Sequence, residues 1–323
     1  SAMVTIILRL CSIFVMILLG VLARKTRLLD SDTTNRLAKL LMNLVYPALI
    51  LASITENFTA DALIRRWTLP VGAFGIMVTG FVVGRILLPL FARTPAPRRR
   101  NFLFQCTINN YSFFPMPLAL FLWGDIGVAN LILSTLGAEI AVWTFGVYAL
   151  NGQGLSWRSL RHLLTVPMFA IAAALLIIGV RDGVLVSLGA GAVLTGFAPF
   201  AEAIRSGLQL FGQATIPLAM LIVGSRMAEL SFGHLWSKMQ AVIVLLRLMV
   251  IPALAVLIIS RLPLAPDVQN TLLLVAVMPA AAASVLLSEL YDGDVREAAA
   301  TVLLTHLGSI ATVPFWLAFF LNR

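Results

Sequence analysis

Apolar residues in this chain gather into runs of about 20, the length that carries a helix across a bilayer, with short polar or basic stretches between them. Ten such runs fall at about 3–23, 34–54, 67–91, 101–122, 126–150, 162–180, 200–225, 236–260, 268–290 and 297–321. The pattern predicts an all-α polytopic membrane protein of ten transmembrane helices. Two runs are interrupted in the middle. One reads Ile108-Asn109-Asn110-Tyr111-Ser112-Phe113-Phe114-Pro115-Met116-Pro117, and the other Val277-Met278-Pro279-Ala280-Ala281-Ala282-Ala283-Ser284. Lipid offers no hydrogen-bonding partner, so a spanning helix can break only where protein or a water-filled cavity covers the freed backbone groups. Breaks at matching places in two halves of a chain point to the binding site of a secondary transporter.

Ten runs with both ends on one side divide into two units of five, here 3–150 and 162–321. An odd number per unit forces the halves into opposite orientations, an inverted repeat. Residue spacing supports the division. Asn43 lies four positions before Pro47 and Gln213 four before Pro217, while Arg85 precedes Pro89 by four and Arg247 precedes Pro252 by five. Residues 181–199, rich in glycine and small side chains, are expected to form the longest connection. Ser1-Ala2 ahead of Met3 reads as a remnant of tag removal. The first run ends on Arg24-Lys25 without a small-x-small site, so it is expected to span rather than to be cleaved as a signal peptide.

Composition agrees with the pattern: 60% of residues are hydrophobic and 11% charged, with a mean hydropathy of +0.98, against about 25% charged in ordinary soluble domains. A net charge of +9 would suit nucleic-acid binding, but the basic residues lie in short loops. Arg24, Lys25, Arg27, Arg36, Arg93, Arg98 to Arg100, Arg158, Arg161, Arg226, Lys238 and Arg296 follow odd-numbered runs. The alternate loops hold fewer, so the positive-inside rule puts the odd loops in the cytoplasm and both termini outside. No nucleic-acid partner is expected. Arg98 to Arg100 anchor the topology and meet lipid head groups. Cys11 and Cys106 both fall inside runs and imply no disulfide framework.

The first break brings the carboxamides of Asn109 and Asn110, the Ser112 hydroxyl and the Tyr111 phenol to membrane depth. Pro115 and Pro117 suit the first turn of the following half-helix, whose positive N-terminal pole would receive an anion. Pro279, Ala280 and Ser284 mirror this in the second break, and Asn43 and Gln213 are expected to line the same cavity. The competing reading is a pair of proline-kinked helices packed on small residues. Ionisable groups inside runs are functional candidates by default. Glu139 and His306 are candidates for a coupling proton, while Arg247 either neutralises a carboxylate substrate or pairs with Glu139. No catalytic motif is present, and with three histidines, two of them at loop edges, no metal site is expected. An intramembrane enzyme would need Ser112 and His306 to meet. A channel would show flux without saturation, and a receptor binding without flux.

Met116-Pro117-Leu118 after the Asn-rich break, then Gly124, Gly127 and Leu136-Gly137, resemble the auxin efflux carriers, whose members include bacterial transporters and plant auxin exporters. The Asn43-to-Pro47 spacing and the Pro279 break are similar too. The resemblance implies ten helices in two inverted five-helix repeats, with helices 4 and 9 crossing at the substrate site near the midplane. It further implies a scaffold domain (spans 1, 2, 6 and 7) and a mobile transport domain (spans 3–5 and 8–10), elevator-like alternating access, dimeric assembly in a cell membrane, and organic-anion substrates. Asn110 matches the family's break asparagine, Pro117 its helix-4 proline and Pro279 its helix-9 proline. Ser112 and Pro115 stand where the family often has glycine. Bile-acid sodium symporters are similar in architecture, but Ala280 to Ala283 supply none of the side chains their sodium sites use.

Overall fold

The computed structural model describes residues 2–152, 161–189, 191–229 and 237–321, with the side chains of 2–7, 9, 10, 191–195 and 321 left aside. Among the described residues the chain is helical and no β-strand forms. In order, α1 is Ala2–Lys25, α2 Ser31–Asn57, α3 Ala60–Phe91, α4 Ala96–Thr107, α5 Pro115–Asn151 and α6 Val166–Ser187. There follow α7 Gly191–Gly212, α8 Thr215–Met227, α9 Lys238–Ile259, α10 Pro266–Ala276, α11 Ser284–Leu290 and α12 Val295–Leu321. Among the described residues seven stretches are long and apolar enough to cross a membrane: α2, α3, α5, α6, α7 with α8, α9 and α12. Helices α4, α10 and α11 stop short because the chain leaves helical geometry at 108–114 and 277–283.

Prolines shape several helices. Pro47 and Pro252 lack the N–H that would close the preceding turn, and π turns occupy Leu41–Val45 and Leu246–Val250 just before them. Gly124 divides α5 with φ 66° and ψ −154°, a conformation essentially reserved for glycine. The chain reverses there: a Cβ on Gly127 would press on the Ala119 carbonyl oxygen at 2.7 Å.

Packing rests on close backbone approach rather than on water exclusion, since lipid is as apolar as leucine. A side chain on Gly20 would overlap the Leu221 carbonyl oxygen, and one on Gly224 that of Ile17, so α1 and α8 cross through two glycines. Gly137 of α5 meets the Pro70 carbonyl of α3 in the same way. Beyond these seams α2 packs on α6 and α7, and α3 on α5, α4 and α10. Large apolar side chains such as Leu18, Leu22, Val71, Ile86, Phe169, Leu176, Phe197 and Phe200 point outward. Such a surface would drive a water-soluble protein to aggregate; here it faces lipid.

One sequence expectation needs correction. The glycine-rich stretch 181–199 is not a long connection, because α6 runs on to Ser187 and α7 starts at Gly191. Its Leu and Val residues sustain helix, and the reversal concentrates at Gly189, with φ 65°.

Candidate functional site

The two interruptions touch. After α4 the backbone extends at Ile108 (φ −105°, ψ 124°), and Asn109 pairs with Ala280 as an isolated antiparallel bridge. The Asn110 N–H donates to the Pro279 carbonyl at 2.8 Å, and the Ala280 N–H to Thr305 Oγ1 at 3.2 Å. Backbone groups that the breaks leave open are thereby satisfied by one another and by α12, the condition for breaking a helix away from water.

Side chains tighten the junction. Asn109, fully buried, donates from Nδ2 to the Val275 carbonyl at 2.6 Å and so caps the end of α10, while its Oδ1 has no partner. Asn110 Oδ1 accepts from the Phe114 N–H at 3.4 Å, just ahead of α5, and Nδ2 lies 3.3 Å from His306 Nε2. His306 Nδ1 is 2.7 Å from the Val302 carbonyl. A carbonyl can only accept, so the proton is on Nδ1 and Nε2 takes the Asn110 N–H. The Phe114 ring stands edge-on to the His306 imidazole at 5.2 Å. On the other side, Tyr111 donates to Glu139 Oε1 at 2.7 Å, and Trp143 to Oε2 at 3.1 Å.

Pro115 and Pro117 begin α5, both buried, and Pro279 and Ala280 are buried where the breaks cross-bond. Tyr111 and Ser112 are half-buried, and Tyr46 of α2 packs edge-on against Phe113 at 5.3 Å. Asn43 and Gln213 are not drawn in. Both are exposed; Asn43 donates to its own helix at Lys39 O, 2.8 Å away, and the Gln213 N–H donates to Gln209 O.

Arg247 is fully buried in the π turn of α9. Its NH1 donates to the Gln105 carbonyl at a long 3.5 Å, while Nε and NH2 have no partner. Pairing with Glu139 does not occur, since Glu139 is held by Tyr111 and Trp143. The guanidinium instead meets the carbonyl end of α4, where the helix dipole is negative.

The sequence reading missed a polar stripe on α4. Asn101 and Gln105 lie one turn apart on one face of α4, and Asn109 follows at the same interval in the break; all three are buried. Asn101 donates to the Asp294 carbonyl and accepts from Ser288 Oγ at 3.2 Å; Gln105 donates to Ser284 Oγ at 2.9 Å. With Ser284 and Ser288 one turn apart, α4 and α11 are zipped along this stripe. The i, i+4, i+8 spacing was the available signal. A second missed network joins three elements: Arg66 donates to Asn130 Oδ1 (3.1 Å) and Asp267 Oδ2 (2.7 Å), and Asn130 donates to the same oxygen at 3.2 Å.

A multi-pass helical membrane protein whose two interrupted helices meet in a buried polar junction has the makings of a transporter, because irregular backbone at that depth is tolerated around a binding site. The family model described as "Membrane transport protein" matches residues 5–159 and 171–317, and the chain belongs to that family, the auxin efflux carriers. It is similar to the uncharacterized transporter MJ1031 of Methanocaldococcus jannaschii, with 23% identity over 308 residues covering 94% of this chain and 95% of that protein. Both comparisons are with transporters rather than enzymes.

Proposed function

We propose that the protein is a secondary active carrier of small organic anions, with the substrate held beside the joined breaks. The observation that carries this reading is the joining of the breaks ahead of α5: the Asn110 N–H donates to the Pro279 carbonyl, Asn109 pairs with Ala280 as a bridge, and the Asn109 side chain donates to the Val275 carbonyl. The Ser112 hydroxyl, the Asn110 N–H not directed at His306 and the Met116 N–H, the one first-turn donor that Pro115 and Pro117 leave at the head of α5, are offered to a carboxylate, with the Tyr111 phenol beside them bonded to Glu139. In this reading the chain forms ten spans as two inverted five-helix repeats, with spans 4 and 9 crossing at the midplane. Spans 1, 2, 6 and 7 are the scaffold, and spans 3–5 and 8–10 move as an elevator in a cell membrane, with both termini outside and a homodimer as the assembly.

Coupling to protons rather than sodium is favoured by Arg247. Unwound carbonyls and half-helix C-termini are where such carriers hold a coupling cation, and at the end of α4 a fixed guanidinium already stands against the Gln105 carbonyl. Glu139 and His306 are the proton candidates, each bonded to a residue of the first break. Protonating His306 at Nε2 would set two donors face to face. The Asn110 amide would then turn its oxygen toward the imidazole and release the Phe114 N–H at the head of α5.

Proteoliposome uptake of a panel of aromatic and aliphatic carboxylates, with and without sodium and with an imposed pH gradient, tests this. Saturable, sodium-independent uptake that Asn110→Ala abolishes is the expected result. Saturable uptake that requires sodium would transfer the reading to a symporter of the bile-acid type, and binding without flux to a receptor. Uptake unaltered by Asn110→Ala would move the site away from the junction.

A further inference from the structure

At the opposite end of α4 from the junction lies a cavity of about 260 Å³ lined by Arg85, Leu88, Arg99, Arg100, Leu103 and Tyr148. Arg99 stands eight residues before α4 ends at Thr107, roughly 12 Å of helix at 1.5 Å per residue, so this space is distinct from the candidate substrate site. Three arginines line it, one from α3 and two from the first turns of α4. Among the described residues none of the three makes an ion pair, and the Arg99 Nε is buried without any partner.

Carboxylates are missing for a reason visible in the sequence. No Asp or Glu occurs between Asp61 and Asp125, nor between Glu139 and Asp182, so the segments of α3, α4 and α5 that line the cavity contribute none. The nearest acids along the seam, Asp294 and Glu297, are taken by Arg98, with Arg98 NH2 2.6 Å from Glu297 Oε2. The positive pole of α4, with no acidic residue in its first turn, adds to the same field. Like charges gathered around a space of this size repel one another unless an anion enters. The remaining walls, Leu88, Leu103 and Ala149, are apolar, and Tyr148 offers a phenol at the rim.

We propose that this cavity is a binding site for a phosphate group, presented either by an anionic phospholipid head group or by a soluble phosphate. Three arginines match phosphate oxygens through paired N–H donors, and the apolar wall suits the glycerol end of a lipid. The cavity joins α3, α4 and the end of α5, so an occupant ties together the helices that carry the first break. On the positive-inside expectation it opens to the cytoplasmic leaflet, where anionic lipids are available.

The test is native mass spectrometry of the delipidated full chain in neutral detergent, titrated with phosphatidylglycerol or phosphatidylcholine. Thermal unfolding with inorganic phosphate runs in parallel. Phosphatidylglycerol is expected to bind in preference to phosphatidylcholine, and R99Q/R100Q to weaken it about 25-fold, at roughly fivefold per basic residue near a lipid surface. R85Q, at an exposed position outside the helix seams, should weaken it about fivefold and covers the case where the double variant does not fold. R65Q, whose side chain pairs with Asp61, should leave binding unchanged. If phosphatidylglycerol shows no preference but inorganic phosphate raises the midpoint in wild type and not in R85Q, the site is upheld with a soluble ligand. Equal binding of both lipids together with no phosphate effect, or a preference that survives R85Q, would overturn it.

Discussion

Arg247 should cost the fold more than it gives. Its side chain is wholly buried, its one hydrogen bond is long, and Nε and NH2 are orphaned. Removing a guanidinium from water carries a penalty of several kcal/mol even after relaxation, and each orphaned donor costs about 1–3 kcal/mol. Against this stands the attraction of the α4 carbonyl end, worth up to about 2 kcal/mol in a buried geometry. Arg247→Met keeps the length and apolar volume of the stem while deleting the charge and all orphaned donors. It is expected to stabilise the protein by about 1–4 kcal/mol, the range found when buried ions yield to apolar residues of similar size. Thermal unfolding in detergent reads this as a midpoint raised by a few degrees. Uptake by the same variant should fall, because the positive charge at the end of α4 is gone. A midpoint lowered by more than the error, with transport intact, would refute the reasoning and mean that the guanidinium is a satisfied structural group.

Gly137→Val should be among the most damaging single changes, costing at least about 3 kcal/mol or abolishing folded yield on size-exclusion chromatography, since any Cβ collides with the Pro70 backbone rather than a yielding side chain. Asp267 tests the network with Arg66 and Asn130. Burial raises its pKa, but the Asn130 hydrogen bond and the Arg66 charge outweigh this and hold it below 3.8. Its contribution is therefore present above that ordinary value and lost as pH falls through the folded one. Asp267→Asn should cost about 1 kcal/mol at pH 7, the exposed share of the pair being screened, and the gap from wild type should close below pH 3.8; a constant gap from pH 7 to 3 would show that charge plays no part. Gln105→Leu should cost about 1–2 kcal/mol by orphaning Ser284 Oγ and loosening the α4–α11 seam, with a normal midpoint as the contrary result.

Much of the junction was legible because the signals were local. Pro279 cannot continue α10, Pro115 and Pro117 suit the first turn of α5, and Asn109 and Asn110 ahead of them supply donors where the helix is broken. Partners across the molecule were not legible, since hydropathy carries no information on which helix faces rotate toward each other. Asn109 could be placed in a break, but its donation to Val275 depends on the register between two segments 166 residues apart. The same blindness offered Arg247 a pairing with Glu139, which Tyr111 and Trp143 hold instead. Asn43 and Gln213 earned their place from proline spacing alone, and that spacing produced the π turn before Pro47 rather than a contact with the breaks. The Asn101-Gln105-Asn109 stripe shows the reverse: helical periodicity contained it, and attention to the break concealed the four-residue repeat leading into it.

Two titratable groups grip consecutive residues of one break from different helices. His306 of α12 meets Asn110, and Glu139 of α5 meets Tyr111. Neither has a charged partner within hydrogen-bonding reach, so a proton on either changes the donor and acceptor pattern that the break feels. Loss of a proton acceptor at one site leaves the other able to respond, unless both report to the same rearrangement. Glu139→Gln keeps one acceptor, for the Trp143 N–H, and turns its NH2 toward the Tyr111 oxygen, which can accept, and His306→Gln keeps an acceptor for Asn110, so both variants should fold. If each proton acts separately, the pH dependence of uptake should shift in each single variant and vanish only in the double. If the two act as one unit, either single substitution should flatten it and the double should add nothing, the non-additivity expected of residues in one network. Full pH dependence in the double variant would place the coupling proton outside the junction and withdraw both residues from the transport cycle.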